Sequence, residues 1–153
     1  MNKLSSVLDQ LELKITQYAE INPMVSEATV GWHIEHSLLV IIQIIEAMKN
    51  ADPSLYQWRF NKKRTVVFFL KSFPRGRANA PASVLPTPNI TPGSLIESFA
   101  KARKSIKSLD SLSPNHYFTH PFFGQLNIKP SRTFFAIHTN HHLKIINDII
   151  FKK

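Results

Sequence analysis

Between Phe73 and Pro92 the chain carries Pro74, Gly76, Pro81, Pro86, Pro88 and Pro92. Each proline locks φ and lacks an N–H, so this density excludes regular helix and predicts an extended, semi-rigid loop over 73–92. A loop of that length inside a small domain acts more often as a lid or a wrapped arm than as a plain connector. With 153 residues in all, there is room for one domain with a buried core, spanning 1–153 with the loop inside it. The 43% of hydrophobic and 10% of aromatic residues are far from the composition that leaves a chain disordered.

The segments on either side of the loop repeat at helical spacing. Leu4, Val7, Leu8, Leu11, Ile15 and Tyr18 form one stripe that ends near Asn22 and Pro23. A second helix is expected from a Ser26 cap followed by Glu27 through Trp32, His36, Leu39, Ile42 and Ile45 to about Asn50. It is apolar on most of its circumference, so neighbours should cover it and its polar exceptions carry information. Asp52 before Pro53 suits a short helical turn, and 58–72 reads as a further helix, with a short buried strand over Thr65 to Phe69 as the alternative. Beyond the loop, Leu95, Phe99, Ala102, Ile106 and Leu109 define a third long helix with Lys101, Arg103, Lys104 and Lys107 on its other face. The last helix is expected after Asn127, with Pro130 in its first turn, and carries Phe134, Phe135, Ile137, Ile145, Ile146 and Ile149. Four long helices predict an all-α helix bundle.

The chain has no cysteine, which removes disulfides, thiolate metal sites and a cysteine nucleophile and leaves histidine as the available soft ligand. The first ten residues lack the features of a signal peptide, and the longest apolar runs, Leu38 to Ile42 and Thr65 to Leu70, are too short to cross a bilayer. A cytoplasmic protein without membrane partners is therefore expected. Lysine and arginine number 19 against 10 acidic residues, a net +9 that favours an anionic partner without naming it.

Five of the seven histidines fall in two groups, His33 with His36 and His138 with His141 and His142. On the last helix His138 and His142 share roughly a third of the circumference with Phe134, Phe135, Ile145 and Ile149, while His141 lies about 60° away at the rim. Two imidazoles one turn apart on a buried face can grip the same ion, and neutral imidazole suits zinc, nickel, iron or copper, with zinc or nickel the expected ion. A third ligand must come from elsewhere. The second helix offers both His36 and His33, and helical geometry alone does not separate them. His120, before Pro121 and close to Gly124, reads first as a turn residue and second as a group that orients a ligand.

Three stretches, GWHIEHSLLVI (Gly31 to Ile41), HPFFGQL (His120 to Leu126) and HTNHHLKII (His138 to Ile146), together resemble the DinB-like (DinB/YfiT) superfamily. Within it they are most similar to a small branch with HP-x-FG-x-L ahead of a last helix bearing H-x-x-HH-L, in the same order along nearly the whole chain. The resemblance implies a four-helix bundle, commonly a homodimer. It also implies a divalent metal held by one histidine of the second helix and two of the last, here His36, His138 and His142. It further implies a metal that activates a thiol or water, since relatives include transferases and isomerases using bacillithiol or mycothiol. The sequence departs from the wider pattern in two ways. No glutamine follows the last histidine in Leu143, Lys144 and Ile145, and His33 and His141 are extra.

The function these features point to is a metal-dependent transferase or hydrolase acting on a small molecule. A three-histidine site leaves a coordination position open for a nucleophile, and Arg75 and Arg77 in the loop could clamp an anionic substrate. A scaffold or binding protein with structural histidines is the alternative. Nucleic acid is disfavoured as a partner, because the basic run Lys101 to Lys107 comes without a recognition helix or an aromatic platform.

Overall fold

The computed structural model of the chain describes residues 3–74 and 81–152. Among them are α1 (Lys3–Glu12), α2 (Val30–Asn50), α3 (Lys62–Leu70), α4 (Pro92–Ser108), β1 (Tyr117–His120), β2 (Gly124–Asn127) and α5 (Ile128–Phe151), with short 3-10 turns between. The chain is mostly helical, and the antiparallel hairpin corrects the all-helical expectation. No helix among the described residues is long and apolar enough to cross a membrane.

The core forms around α2, which packs against both α4 and α5 while α1 lies on α5. Ile34, Leu38, Ile41, Ile45 and Met48 recur at three- and four-residue steps and have no exposed surface. Removing each such side chain from water is worth about 1.5–3 kcal/mol, which explains why this helix is apolar most of the way round. From the other helices Leu8, Leu11, Leu95, Phe99 and Phe135 complete the same cluster.

The start of α2 lies later than expected. Its cap is Thr29, whose Oγ1 accepts from the Trp32 N–H at 3.1 Å, and not Ser26. The first helical N–H groups find partners outside the helix, with Val30 N donating to Glu20 O and Gly31 N to Tyr18 O. Those bonds satisfy donors that would otherwise be orphaned and fix the entry of the chain. They also require a glycine at 31. A Cβ there would stand 3.0 Å from the Tyr18 carbonyl oxygen and 3.2 Å from Ile90 Cγ2. Gly31→Ala is expected to destabilise the fold by about 1–3 kcal/mol, read as a lower urea midpoint, because one contact is immovable backbone. An unchanged midpoint would show that the close approach is relaxed in solution.

The first stripe is split. Regular helix ends at Glu12, and Ile15 starts a separate 3-10 turn that keeps the three-residue spacing to Tyr18. The 58–72 segment is helical only over α3, capped by Asn61 Oδ1 on the Arg64 N–H. Arg64, 9% exposed, secures α3 to the hairpin by donating to the carbonyls of Phe123 and Gln125. Phe69 is 83% exposed, so the apolar run over Thr65 to Leu70 is not a buried strand. On α4 the expected stripe buries Leu95, Phe99 and Ala102, and Leu109 continues it in a 3-10 turn. Its basic face is partly engaged, since Arg103 bridges to Asp9 and Glu12 of α1 at 2.8 Å each.

The hairpin pairs Phe118 with Leu126 and His120 with Gly124. Pro121, Phe122 and Phe123 make its turn, and Gly124 closes it at φ +69°, the left-handed region that glycine enters without strain. Strand periodicity then puts Phe118 and His120 on one face, where both meet the Phe134 ring of α5. Of the proline-rich loop, Arg75 and Arg77 lie outside the described residues. The described shoulders, Phe73 and Val84, both reach the histidines.

Candidate metal centre

Two helices supply the cluster. α2 presents His36 and, one turn earlier, His33; α5 presents His138 and His142 one turn apart. The rings of His36, His138 and His142 form a near-equilateral triangle, with centroid separations of 5.2 Å, 4.8 Å and 4.7 Å. Each offers one ring nitrogen, and these nitrogens lie within 4.8 Å of one another. In a tetrahedral zinc site, ligands at about 2.0–2.1 Å from the ion stand roughly 3.3 Å apart, so modest ring rotations separate this arrangement from ligation.

The protonation of the rings suits a cation. His36 and His142 are 5% and 8% exposed, and His138 is half-buried with its Nδ1 shut off from solvent. Burial pushes His36 below its ordinary value, opposed in part by its bond to the Val84 carbonyl. His138 and His142 fall well below 6.5, first through burial and then through the neighbouring imidazoles. All three are neutral near pH 7 and keep a lone pair.

Hydrogen bonds settle one tautomer. His36 Nδ1 lies 2.8 Å from the Val84 carbonyl oxygen, which can only accept, so His36 carries its proton there and Nε2 keeps the lone pair. Metal-bound histidines are oriented by bonds of this kind. His138 Nδ1 is buried without a hydrogen-bond partner, which is costly unless something else engages it. An oriented His36 ring and a His138 ring with an orphaned nitrogen, close to a third imidazole, fit a divalent ion.

Aromatic rings wall the cluster. Trp32 stacks on His36 at 5.0 Å and 13°, and Phe134 stacks on His138 at 5.6 Å and 27°. Phe73, at the start of the loop, meets His138 and His141 edge-on. His141 is half-buried at the rim, where the helical spacing places it. A groove of about 500 Å³ beside Tyr56, Trp58 and Arg64 includes none of these histidines and carries no part of the site.

His120 has a structural role in its turn. Its Nδ1 accepts from the Phe122 N–H at 3.1 Å, and its ring stacks on Phe123 at 4.3 Å. Burial pushes its pKa down to about 4. The unfolded chain binds protons near pH 6.5 that the folded chain declines until about pH 4, so stability rises with pH through that window. His36, His138 and His142 act in the same direction. The metal-free protein is therefore expected to lose stability steadily from about pH 7 to about pH 4.5, followed as the urea midpoint. A flat profile would mean that these rings are not buried as neutral groups.

Sequence spacing selected His138 and His142 and left His33 against His36 undecided, and the resemblance implied His36. The structure brings His36 into the triangle and gives His33 another task, bonding to His142 Nδ1 at 3.0 Å. The Val84 contact had no sequence signal, because a backbone carbonyl is the same at every residue. Glu35 was also missed. Its Oε1 accepts from Ser98 on α4, its Oε2 is buried without a hydrogen-bond partner, and burial raises its pKa. No family model matches this chain, and neither a curated protein nor a solved structure matches it.

Proposed function

We propose that this chain is a DinB-like helical-bundle protein in which His36, His138 and His142 hold one divalent cation, zinc or nickel. The observation that carries the reading is the convergence of three neutral imidazoles from two helices, one of them with a buried Nδ1 lacking a hydrogen-bond partner. Held by these three residues, such an ion would supply Lewis acidity that lowers the pKa of a water or a thiol toward neutral pH. Among the reactions such an ion allows, the resemblance to the DinB-like superfamily favours a thiol-dependent transfer or a hydrolysis.

The chain's own residues have assignable parts. Val84 O holds the His36 ring with Nε2 free, Trp32 fixes its plane by stacking, and Phe134 and Phe73 exclude water around His138. The net +9 supports a small anionic substrate. It gives less support to nucleic acid, since Arg103 of the basic run is already bound to two carboxylates. A homodimer belongs to the same reading through the resemblance, and sedimentation at the 17.5 kDa of a single chain would remove it.

The test is metal analysis of protein purified without a histidine tag, followed by an assay of thiol consumption with an electrophilic cosubstrate before and after chelation. About one ion per chain and chelation-sensitive turnover are expected. Protein that takes up neither zinc nor nickel would refute the reading.

A further inference from the structure

We infer that His33 is a positioning residue: a hydrogen-bond relay from Ser26 through His33 sets which nitrogen of His142 carries the proton, and so whether His142 can ligate an ion. The inference rests on the three-histidine reading above and adds to it a fourth histidine and a serine.

The geometry is a chain of three groups. Ser26 Oγ lies 3.0 Å from His33 Nε2, and His33 Nδ1 lies 3.0 Å from His142 Nδ1. Ser26 Oγ also accepts from the Ala28 N–H at 3.1 Å. Two neutral imidazoles that meet nitrogen to nitrogen must have one donor and one acceptor, and each ring has a single proton to place. With both rings neutral, two arrangements satisfy these three contacts.

In the first, the Ser26 hydroxyl donates to His33 Nε2, and His33 Nδ1–H donates to His142 Nδ1. His142 then accepts at Nδ1 and carries its proton on Nε2, so it has no lone pair for a metal. In the second, His142 Nδ1–H donates to His33 Nδ1, and His33 Nε2–H donates to Ser26 Oγ. The serine oxygen can accept both this bond and that of Ala28, and Ser26 is half-buried, so its hydroxyl hydrogen can turn toward water. His142 Nε2 now keeps its lone pair. Both arrangements contain the same number of protons, so no charge is buried in passing between them.

An ion held through His142 Nε2 would require the second arrangement. His33 is then to His142 what the Val84 carbonyl is to His36, an acceptor on Nδ1–H that leaves Nε2 for the ion. The two acceptors differ in one respect: a carbonyl allows one tautomer of its partner, whereas an imidazole allows two. The metal-free site can therefore rest in a form that does not bind, with every contact in the relay satisfied.

The experiment combines zinc affinity with the ring tautomers, read from nitrogen-15 chemical shifts. In zinc-loaded wild type, His142 is expected as the Nδ1–H form and His33 as the Nε2–H form. His33→Leu, which removes the acceptor, should weaken zinc binding by about 10–100-fold. His33→Gln, whose amide oxygen can still accept, should recover most of that loss. Undiminished affinity in His33→Leu, or an Nε2–H form of His142 in zinc-loaded wild type, overturns the relay and leaves the three-histidine site standing. Absence of zinc uptake by wild type overturns that site as well. If His33→Leu does not fold, the wild-type tautomers decide.

Discussion

The His138→Leu variant is expected to retain less than about a tenth of the bound metal and yet, compared metal-free, to unfold at a higher temperature than wild type. The loss of metal follows from removing one of the three imidazoles, and the gain in stability has a separate origin. His138 Nδ1 is buried with no hydrogen-bond partner, and an unsatisfied polar atom costs the fold about 1–3 kcal/mol. Leucine fills similar space between Phe134 and Phe73 without that cost. A gain of about 1 kcal/mol corresponds to a rise of about 2–4 °C in a domain of this size. His142→Ala should also lose the ion but should melt lower, because it empties a buried volume and strands the His33 nitrogen it bonds. The opposite signs separate a ligand whose buried nitrogen the fold leaves without a partner from a ligand that the fold also uses. Metal analysis and thermal unfolding of the two chelated variants measure both. A less stable His138→Leu that still holds its metal would show that His138 serves structure alone.

Phe99→Ala is expected to cost about 3–5 kcal/mol of folding stability while leaving metal stoichiometry at that of wild type. Phe99 is 1% exposed and lies on α4, the helix that packs against α2 but supplies none of the three histidines. Emptying its volume weakens the docking of α4 on α2, and against a typical total of about 5–15 kcal/mol the loss is large. The histidines come from α2 and α5, so the ion should still bind to the fraction that folds. Urea unfolding of the metal-free protein gives the cost. Metal content of the soluble variant checks the second half of the expectation, and loss of metal in a folded Phe99→Ala would mean that α4 shapes the site.

Much of this arrangement could be read from spacing. The stripes on α1, α2, α4 and α5 carried the helices, because three- and four-residue recurrence of apolar groups has one economical solution in water. The same rule put His138 and His142 on the buried side of α5 and His141 at its rim. It failed where partners far along the chain intervene. Ser26 looked like the cap of α2, but its hydroxyl is engaged by His33 and Ala28, and the helix waits for Thr29 because Glu20 and Tyr18 take the first N–H groups. The hairpin was missed because β1 and β2 are only four residues each, too short for alternation to stand out. The apolar run on α3 suggested burial, and Phe69 is exposed instead.

By itself the sequence determined which faces of the main helices are apolar, that the prolines over 81–91 hold that stretch out of α-helix, and that any soft ligand is histidine. These follow from local periodicity, from proline's missing N–H and from composition. Helical spacing could not separate His36, which the resemblance implied, from His33; the tertiary structure places His36 in the triangle, because the choice depends on how far α2 and α5 lie apart and how they are rotated. The tertiary structure alone gave His33 to His142 and the Val84 carbonyl to His36. A hydrogen bond between groups 109 residues apart is set by the packing of whole helices, which no local pattern encodes.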